Sequence, residues 1–378
     1  MAGEQQETGL YRRIVVKAGT NVLTGGGANL DFELMASLVE QVAGLRHRDI
    51  EVLLVTSGAI AAGRHVLDVG RQREDIPSRQ ALAAVGQSRL MHTYAQLFDE
   101  HNITVAQGLL SRGDIMDREG YLNVRNTLLA LLEWRVIPII NENDVVAVEE
   151  IGVDVFGDND NLSAMVANLV DADLLIMLSD IDGLYTSDPH EDSKAVLIPM
   201  VGRVDQDIEA LAGANHSPRS RGGMQAKLDA IKLATAFGVA VALVNGREGQ
   251  VVTRLAAGES VGTFFAPTGS KVESRKRWML SGLSTRGRIV VDAGAAEALR
   301  TYHRSLLPAG VDDVDGDFLR GDIILVVGPN GQQVACGIAS YGASDVAAIK
   351  GLRSDRIEEA LGHRYGEEVV HRNNMVLL

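Results

Sequence analysis

Lysine is scarce in this chain of 378 residues, with seven against twenty-nine arginines. Cysteine is scarcer still: Cys336 stands alone, which excludes an intramolecular disulfide and any cysteine-based zinc cluster. No uninterrupted apolar stretch is long enough to cross a bilayer. The opening residues Met1–Leu10 lack the basic and apolar regions of a signal peptide, so a cytoplasmic location is expected. Positive charge is also in deficit, with 36 basic against 50 acidic residues and a net of −14. Such a balance does not suit a nucleic-acid binder, because phosphate backbones are drawn to basic surfaces. The deficit is uneven: residues 276–378 hold 12 basic and 13 acidic residues, leaving residues 1–275 at net −13. An anionic ligand therefore needs local cations and backbone amides here, against the overall field.

The apolar fraction of 46% allows a sizeable core, and the length allows two domains or three. From Arg13 to about Ala266, strand-like and helix-like segments alternate. Buried strands are expected at Ile14–Val16, Val52–Val55, Thr104–Leu110, Val136–Ile140, Leu174–Leu178 and Val239–Val244. Amphipathic helices are expected at Asp31–His47, Ser78–Glu100, Arg118–Trp134 and Gly223–Phe237. Continuous Val/Ile/Leu strands alternating with helices imply a mainly parallel α/β sheet covered on both faces. Ligands bind such sheets beyond the carboxyl ends of the strands. The pattern changes after Thr268-Gly269-Ser270, where shorter strands are expected at Arg288–Asp292, Asp322–Val327, Gln333–Ser340 and Glu368–His371. The expected organisation is a catalytic domain over 11–267, a linker over 268–280 and a small, mostly β domain over 281–378.

Each unusual motif follows one of these strands. Lys17 closes the first and runs into Ala18-Gly19-Thr20, where a lysine beside glycine can reach a phosphate. The plainer alternative is a surface lysine, and for Gly25-Gly26-Gly27 an ordinary turn. Ser57, before Gly58, either presents its hydroxyl to a carboxylate or caps a helix. Asn141-Glu142-Asn143-Asp144 puts four polar groups at a strand end, where burial is costly unless they bind something. Asp144 is suited to a substrate ammonium. Gly157-Asp158-Asn159-Asp160-Asn161 lacks the spacing of a calcium loop, and helix capping accounts for one of its carboxylates rather than both. Ser179 and Asp180 end another strand, and Asp182-Gly183 reads as a tight turn. Arg221–Lys227 is a glycine-bearing turn expected to open a helix, with the second well-placed lysine at its end. No lysine follows a glycine, so this is not a P-loop, and the H-R-D and D-F-G signatures of protein kinases are missing.

Taken in order, V-V-K-A-G-T, V-T-S-G-A-I-A-A-G, A-A-V-G-Q-S-R-L, I-N-E-N-D, G-D-N-D-N-L-S-A, L-S-D-I-D-G-L-Y and G-G-M-x-x-K resemble the glutamate 5-kinases, a branch of the amino-acid kinase family. Residues from about 281, including Ser305–Val311, are similar to a PUA domain. The resemblance implies a three-layer αβα sandwich that phosphorylates the γ-carboxylate of L-glutamate with ATP and Mg²⁺, the first step of proline biosynthesis. It implies catalytic roles for Lys17, Lys227 and Asp160, with Asp160 holding both lysines. It implies glutamate contacts from Ser57, Asp144 and Asn159, with Asn141 and Asp158 nearby. The nucleotide would meet Lys17, Ser179, Asp180, Arg221, Gly222, Gly223, Met224 and Lys227, and no residue is assigned as a metal ligand. L-proline as feedback inhibitor and assembly into a homo-oligomer are further implications.

The nucleotide segment departs from the usual G-T-G-G-M-x-T-K, reading Ser220-Arg221-Gly222-Gly223-Met224-Gln225-Ala226-Lys227. Two threonine hydroxyls are lost, and arginine, a planar phosphate clamp, is introduced. Two other readings stay open. One is a sister kinase acting on N-acetylglutamate, aspartate, carbamate or UMP, against which I-N-E-N-D with G-D-N-D-N favours free glutamate. The other is an RNA-binding or RNA-modifying protein working through the PUA-like domain, against which near-neutral charge and the lack of an aromatic-basic cluster weigh.

Overall fold

Val, Ile and Leu dominate the central strands expected at Ile14–Val16, Val52–Val55, Val136–Ile140 and Leu174–Leu178, as strands covered on both faces require. The computed structural model describes residues 10–68, 75–147, 159–189, 192–213, 218–271 and 287–378, with backbone alone for 212–213 and 218–222. Eight strands form the larger sheet: β1 (Arg13–Ala18), β2 (Glu51–Val55), β3 (Val105–Leu110), β4 (Ile137–Glu142), β5 (Leu174–Ser179), β6 (Met200–Val201), β7 (Ala240–Asn245) and β8 (Thr263–Phe265). Their order is β3-β4-β2-β1-β5-β7-β8-β6, and β7–β8 is the antiparallel pair in an otherwise parallel sheet. Every residue of β4 and β5 is buried.

Ten helices accompany these strands among the described residues: α1 (Thr20–Leu23), α2 (Phe32–His47), α3 (Ala59–Leu67), α4 (Ile76–Asp99), α5 (Arg112–Met116), α6 (Arg118–Glu133), α7 (Asn159–Leu169), α8 (Gln206–Gly213), α9 (Pro218–Ala236) and α10 (Val251–Ala256). Asp31 caps α2 by accepting from Leu34 N at 3.1 Å, and Asp75 caps α4 by accepting from Ser78 N at 3.0 Å. The result is the three-layer αβα sandwich with a mainly parallel sheet.

Two features of this unit position the site. The first is register: Lys17 pairs with Val55 and Val55 with Ile140, so Ala18, Thr56 and Asn141 follow side by side, with β4 running on to Glu142. The second is the close crossing of α3 and α4. A Cβ on Gly86 would collide with the Ala59 carbonyl, and one on Gly63 with the Leu82 carbonyl, so only glycine lets these backbones approach.

By contact grouping, residues 1–115 and 125–270 make one unit, and 116–124 with 271–378 make the other. That unit holds the smaller sheet, ordered β10-β9-β11-β12-β13, from β9 (Gly287–Val291), β10 (Val311–Gly316), β11 (Ile323–Val327), β12 (Gln333–Ile338) and β13 (Met375–Leu377). Its core includes Phe318, Ile324, Val334, Tyr341 and Val346.

Four expectations are corrected. The segment Glu368–His371 is not a strand; Val370 makes an isolated bridge to Leu306. Strand β10 was not anticipated, because Val-Asp-Asp-Val-Asp-Gly exposes its carboxylates and lacks an apolar run. Strand β4 continues past Ile140 to Glu142, carrying Asn141 into the sheet. Helix α9 starts at Pro218, not Gly223, so Arg221–Lys227 is helical rather than a turn. A proline in the first turn initiates the helix despite the diglycine that follows. Of the expected linker and the start of the small domain, residues 272–286 lie outside the described residues.

Candidate active site

Lys17 is the next-to-last residue of β1, with 1% of its side chain exposed, and its Nζ lies 2.7 Å from Asp160 Oδ1. Asp160 is in the first turn of α7, itself 1% exposed, and its Oδ2 lies 3.2 Å from Lys227 Nζ on α9. One carboxylate thus sits between two ammonium groups. Burying charges costs several kcal/mol per ion unless they are compensated, and the shared carboxylate contributes to that compensation while bringing the two cations together. Gly19 keeps the approach open: a Cβ there would come within 3.1 Å of Lys17 Nζ.

A second buried polar group adjoins the first through Asn159, the residue before Asp160. Asn159 Nδ2 donates to the Thr56 carbonyl at 2.6 Å, to Ser57 Oγ at 2.7 Å and to Asn141 Oδ1 at 3.0 Å. Asn141 Nδ2 in turn donates to Gln87 Oε1 at 2.8 Å. Ser57 does not cap α3: the cap position is Gly58, at φ +96°, so the hydroxyl is left for Asn159. The left-handed conformation explains why glycine follows the serine. Behind this group, Thr56 Oγ1 and Tyr94 Oη are 2.9 Å apart, and burial pushes the Tyr94 hydroxyl pKa up to about 12.

Asp144 lies just beyond β4, half-buried. Burial first, then the nearby Glu142 carboxylate, raises its pKa to about 6, with Arg79 opposing. Ser179 is buried at the end of β5 and donates to Asp180 Oδ1 at 3.2 Å; Asp180 Oδ2 accepts from Asn21 Nδ2 at 3.0 Å. Asp182 is engaged structurally, accepting from Tyr185 Oη and Asn245 Nδ2, both at 2.9 Å. Arg221, Gly222, Gly223 and Met224 lie on α9 ahead of Lys227. The side chain of Arg221, and the whole of Asp158, fall outside the described residues.

The structure therefore joins Lys17, Asp160 and Lys227, and separately joins Ser57, Asn141 and Asn159 with Gln87. It leaves Ser179 and Asp180 as a distinct pair with Asn21. Gln87 was not singled out as a site residue. A signal existed: the buried stripe of α4 runs through Leu82, Ala83, Gly86, Gln87, Leu90 and Tyr94, and Gln87 takes a place where an apolar residue belongs. A separate cleft of about 360 Å³, with Asp31, Ser37, Gln41 and Arg247 on its walls, contains none of the expected site residues.

Residues 12–245 match the model of the amino acid kinase family, which is more than half of the chain. The chain belongs to the amino acid kinase family. Residues 287–361 match the PUA domain. A curated relative from Dehalococcoides mccartyi, a glutamate 5-kinase, is 50% identical over 97% of this chain and 99% of its own. A glutamate 5-kinase from Herpetosiphon aurantiacus is 52% identical over 97% of this chain and 98% of its own. A solved UMP kinase from Bacillus anthracis covers 68% of this chain at 18% identity and a TM-score of 0.48, too distant to bear on substrate. No described helix is long and apolar enough to cross a membrane.

Proposed function

We propose that this amino acid kinase phosphorylates the γ-carboxylate of L-glutamate with ATP, yielding γ-glutamyl phosphate and ADP, and so opens proline biosynthesis. Near-complete coverage of glutamate 5-kinases at about half identity supports the reaction. The observation that carries the chemistry is the convergence of the Lys17 and Lys227 ammonium groups on the Asp160 carboxylate.

In this reading a γ-carboxylate oxygen attacks the γ-phosphorus, the bond to the β,γ-bridging oxygen breaks, and ADP leaves with that electron pair. The carboxylate is ionised at neutral pH, so no base has to remove a proton. The protein's task is positioning and charge neutralisation. Lys17 and Lys227 would face the transferring phosphoryl group and the ATP phosphates, and Asp160 would keep the two ammonium groups apart and aimed. Ser57, Asn159 and Asn141 would hold glutamate, with Asp144 taking its ammonium and Asp158 nearby. Ser179, Asp180 and the α9 segment Arg221–Lys227 would meet the nucleotide.

Mg²⁺ suits this donor set as a passenger on the nucleotide. The Asp160 carboxylate is already held by two ammonium groups, and Mg²⁺ keeps water and phosphate oxygens as ligands in preference to a protein cage. When bound it supplies further charge neutralisation. A cytoplasmic location, a homo-oligomeric state and inhibition by L-proline belong to the same reading.

The test is hydroxamate formation with ATP, Mg²⁺ and hydroxylamine, comparing glutamate with N-acetylglutamate and aspartate. Glutamate-dependent product is expected. Product with N-acetylglutamate or aspartate instead would replace the substrate assignment. Adding L-proline to the same assay, and light scattering on the purified chain, read out inhibition and assembly.

A further inference from the structure

The buried amides form a chain whose polarity is fixed at one end by the main chain. Amide oxygen and nitrogen are interchangeable in shape, so their assignment must come from the bonding network. Here the Thr56 carbonyl, which can only accept, lies 2.6 Å from Asn159 and forces Nδ2 toward it. The same nitrogen then meets Asn141, which must present Oδ1, and so Asn141 presents Nδ2 to Gln87. Gln87 must answer with Oε1, which turns its Nε2 away from the chain. That nitrogen is buried, on a residue 9% exposed, and has no hydrogen-bond partner. At the other end, Asn159 Oδ1 is likewise buried without a partner. A buried donor left unmade is costly, so an acceptor is expected to arrive with the ligand.

The sheet indicates which acceptor. Strand β2 lies between β1 and β4, so Lys17 and Asn141 stand two strand spacings apart, about 10 Å. The carboxylate carbons of extended glutamate are about 5 Å apart, given four C–C bonds near 1.5 Å. A hydrogen bond of about 3 Å at each end brings the span to roughly the same 10 Å. With the γ-carboxylate at the lysines, the α-carboxylate falls on the β4 side, where Gln87 waits. Asp144 follows β4 on that side too, and Gln80 of the same helix donates to the Val145 carbonyl at 3.1 Å, tying α4 to the segment that carries Asp144.

We infer that Gln87 is a specificity-determining residue whose Nε2 donates to the α-carboxylate of the substrate. This rests on the glutamate reading above. The register Thr56–Asn159–Asn141–Gln87 makes it an α-carboxylate reader preset by a backbone carbonyl.

The variant Gln87→Glu keeps an acceptor for Asn141 and replaces the outer N–H by oxygen. It is compared with the unaltered chain by hydroxamate formation from glutamate and from glutamate α-amide, whose NH₂ offers the donor the variant lacks. The assay runs at about pH 8, above the ordinary carboxyl range. The preference in kcat/KM for glutamate over its α-amide is expected to fall about tenfold or more, with KM for ATP within about twofold, as loss of a hydrogen bond to a charged group implies. An unchanged preference overturns the inference, including the case in which kcat falls equally on both substrates, which marks a packing role. If Gln87→Glu does not fold, Gln87→Met, close in volume, is put through the same pair with the same criterion. Failure of the parent reading shows separately, as absence of glutamate-dependent product from the unaltered chain, and removes this inference with it.

Discussion

Lys17 Nζ and Asp160 Oδ1 meet at 2.7 Å with 1% of either side chain exposed. A pair so placed cannot be explained as surface decoration, where ion pairs are worth about 1 kcal/mol or less. Lys227, 13% exposed, shares the same carboxylate.

Asp160→Asn should therefore remove compensation from two buried ammonium groups. Loss of one partner of a buried pair costs about 3–5 kcal/mol. The variant is expected to melt earlier than the unaltered chain, to lose at least about 10²-fold in activity, and to regain part of its stability in phosphate. Scanning calorimetry with and without phosphate checks this; a melting temperature equal to the parent's would count against the charge argument.

Lys227→Met keeps the buried Lys17–Asp160 pair, so folding should survive. Removing one donor aimed at developing charge typically costs about 10²–10³ in kcat. Circular dichroism and hydroxamate assays on the same preparation separate the two effects, and full activity would strike Lys227 from the site.

Asp144 offers a pH signature. Its carboxyl is held near 6 by burial and by Glu142, and only the ionised form attracts an ammonium. KM for glutamate should rise as pH falls through about 6, and Asp144→Asn should flatten that dependence while raising KM at neutral pH. The stability sign is opposite. A folded pKa above the unfolded value means the native state holds the proton longer, so this group's contribution declines as pH rises from about 4 to 6. Asp144→Asn should accordingly melt no earlier than the parent at neutral pH without substrate.

Gly86→Ala tests how α4 delivers Gln87. Its Cβ would strike the Ala59 carbonyl, and backbone cannot swing aside as a side chain does. Overpacking costs about 1–3 kcal/mol. Denaturant titration should show that loss, and KM for glutamate should rise while KM for ATP holds; parallel changes in both would point to general loosening.

Much of this arrangement was readable in the linear chain because parallel sheets place chemistry at strand ends. Lys17 stands out as charge just after the aliphatic Ile14–Val16, and Asp160 as the second carboxylate of the polar run Gly157–Asn161. The two-residue β6 and three-residue β8 were not readable, being too short to show any period, and β10 hid behind its aspartates. The head of α9 looked like a turn because two glycines and a serine lower local helix propensity there. Gln87 escaped for a different reason. It sits mid-helix as an uncharged amide, and its significance comes from Asn141 and Thr56, residues that only folding brings alongside.

The aligned register of β1, β2 and β4 has a consequence for how the molecule tolerates change. Reactive groups project from the rim of a slab whose interior is aliphatic, so exchanges at the rim can retune recognition while the slab stays intact. A one-residue slip of β2 would do the reverse. It would swing Ser57 and the Thr56 carbonyl out of line with both neighbours together, and disarm the phosphate end and the amino-acid end in a single event.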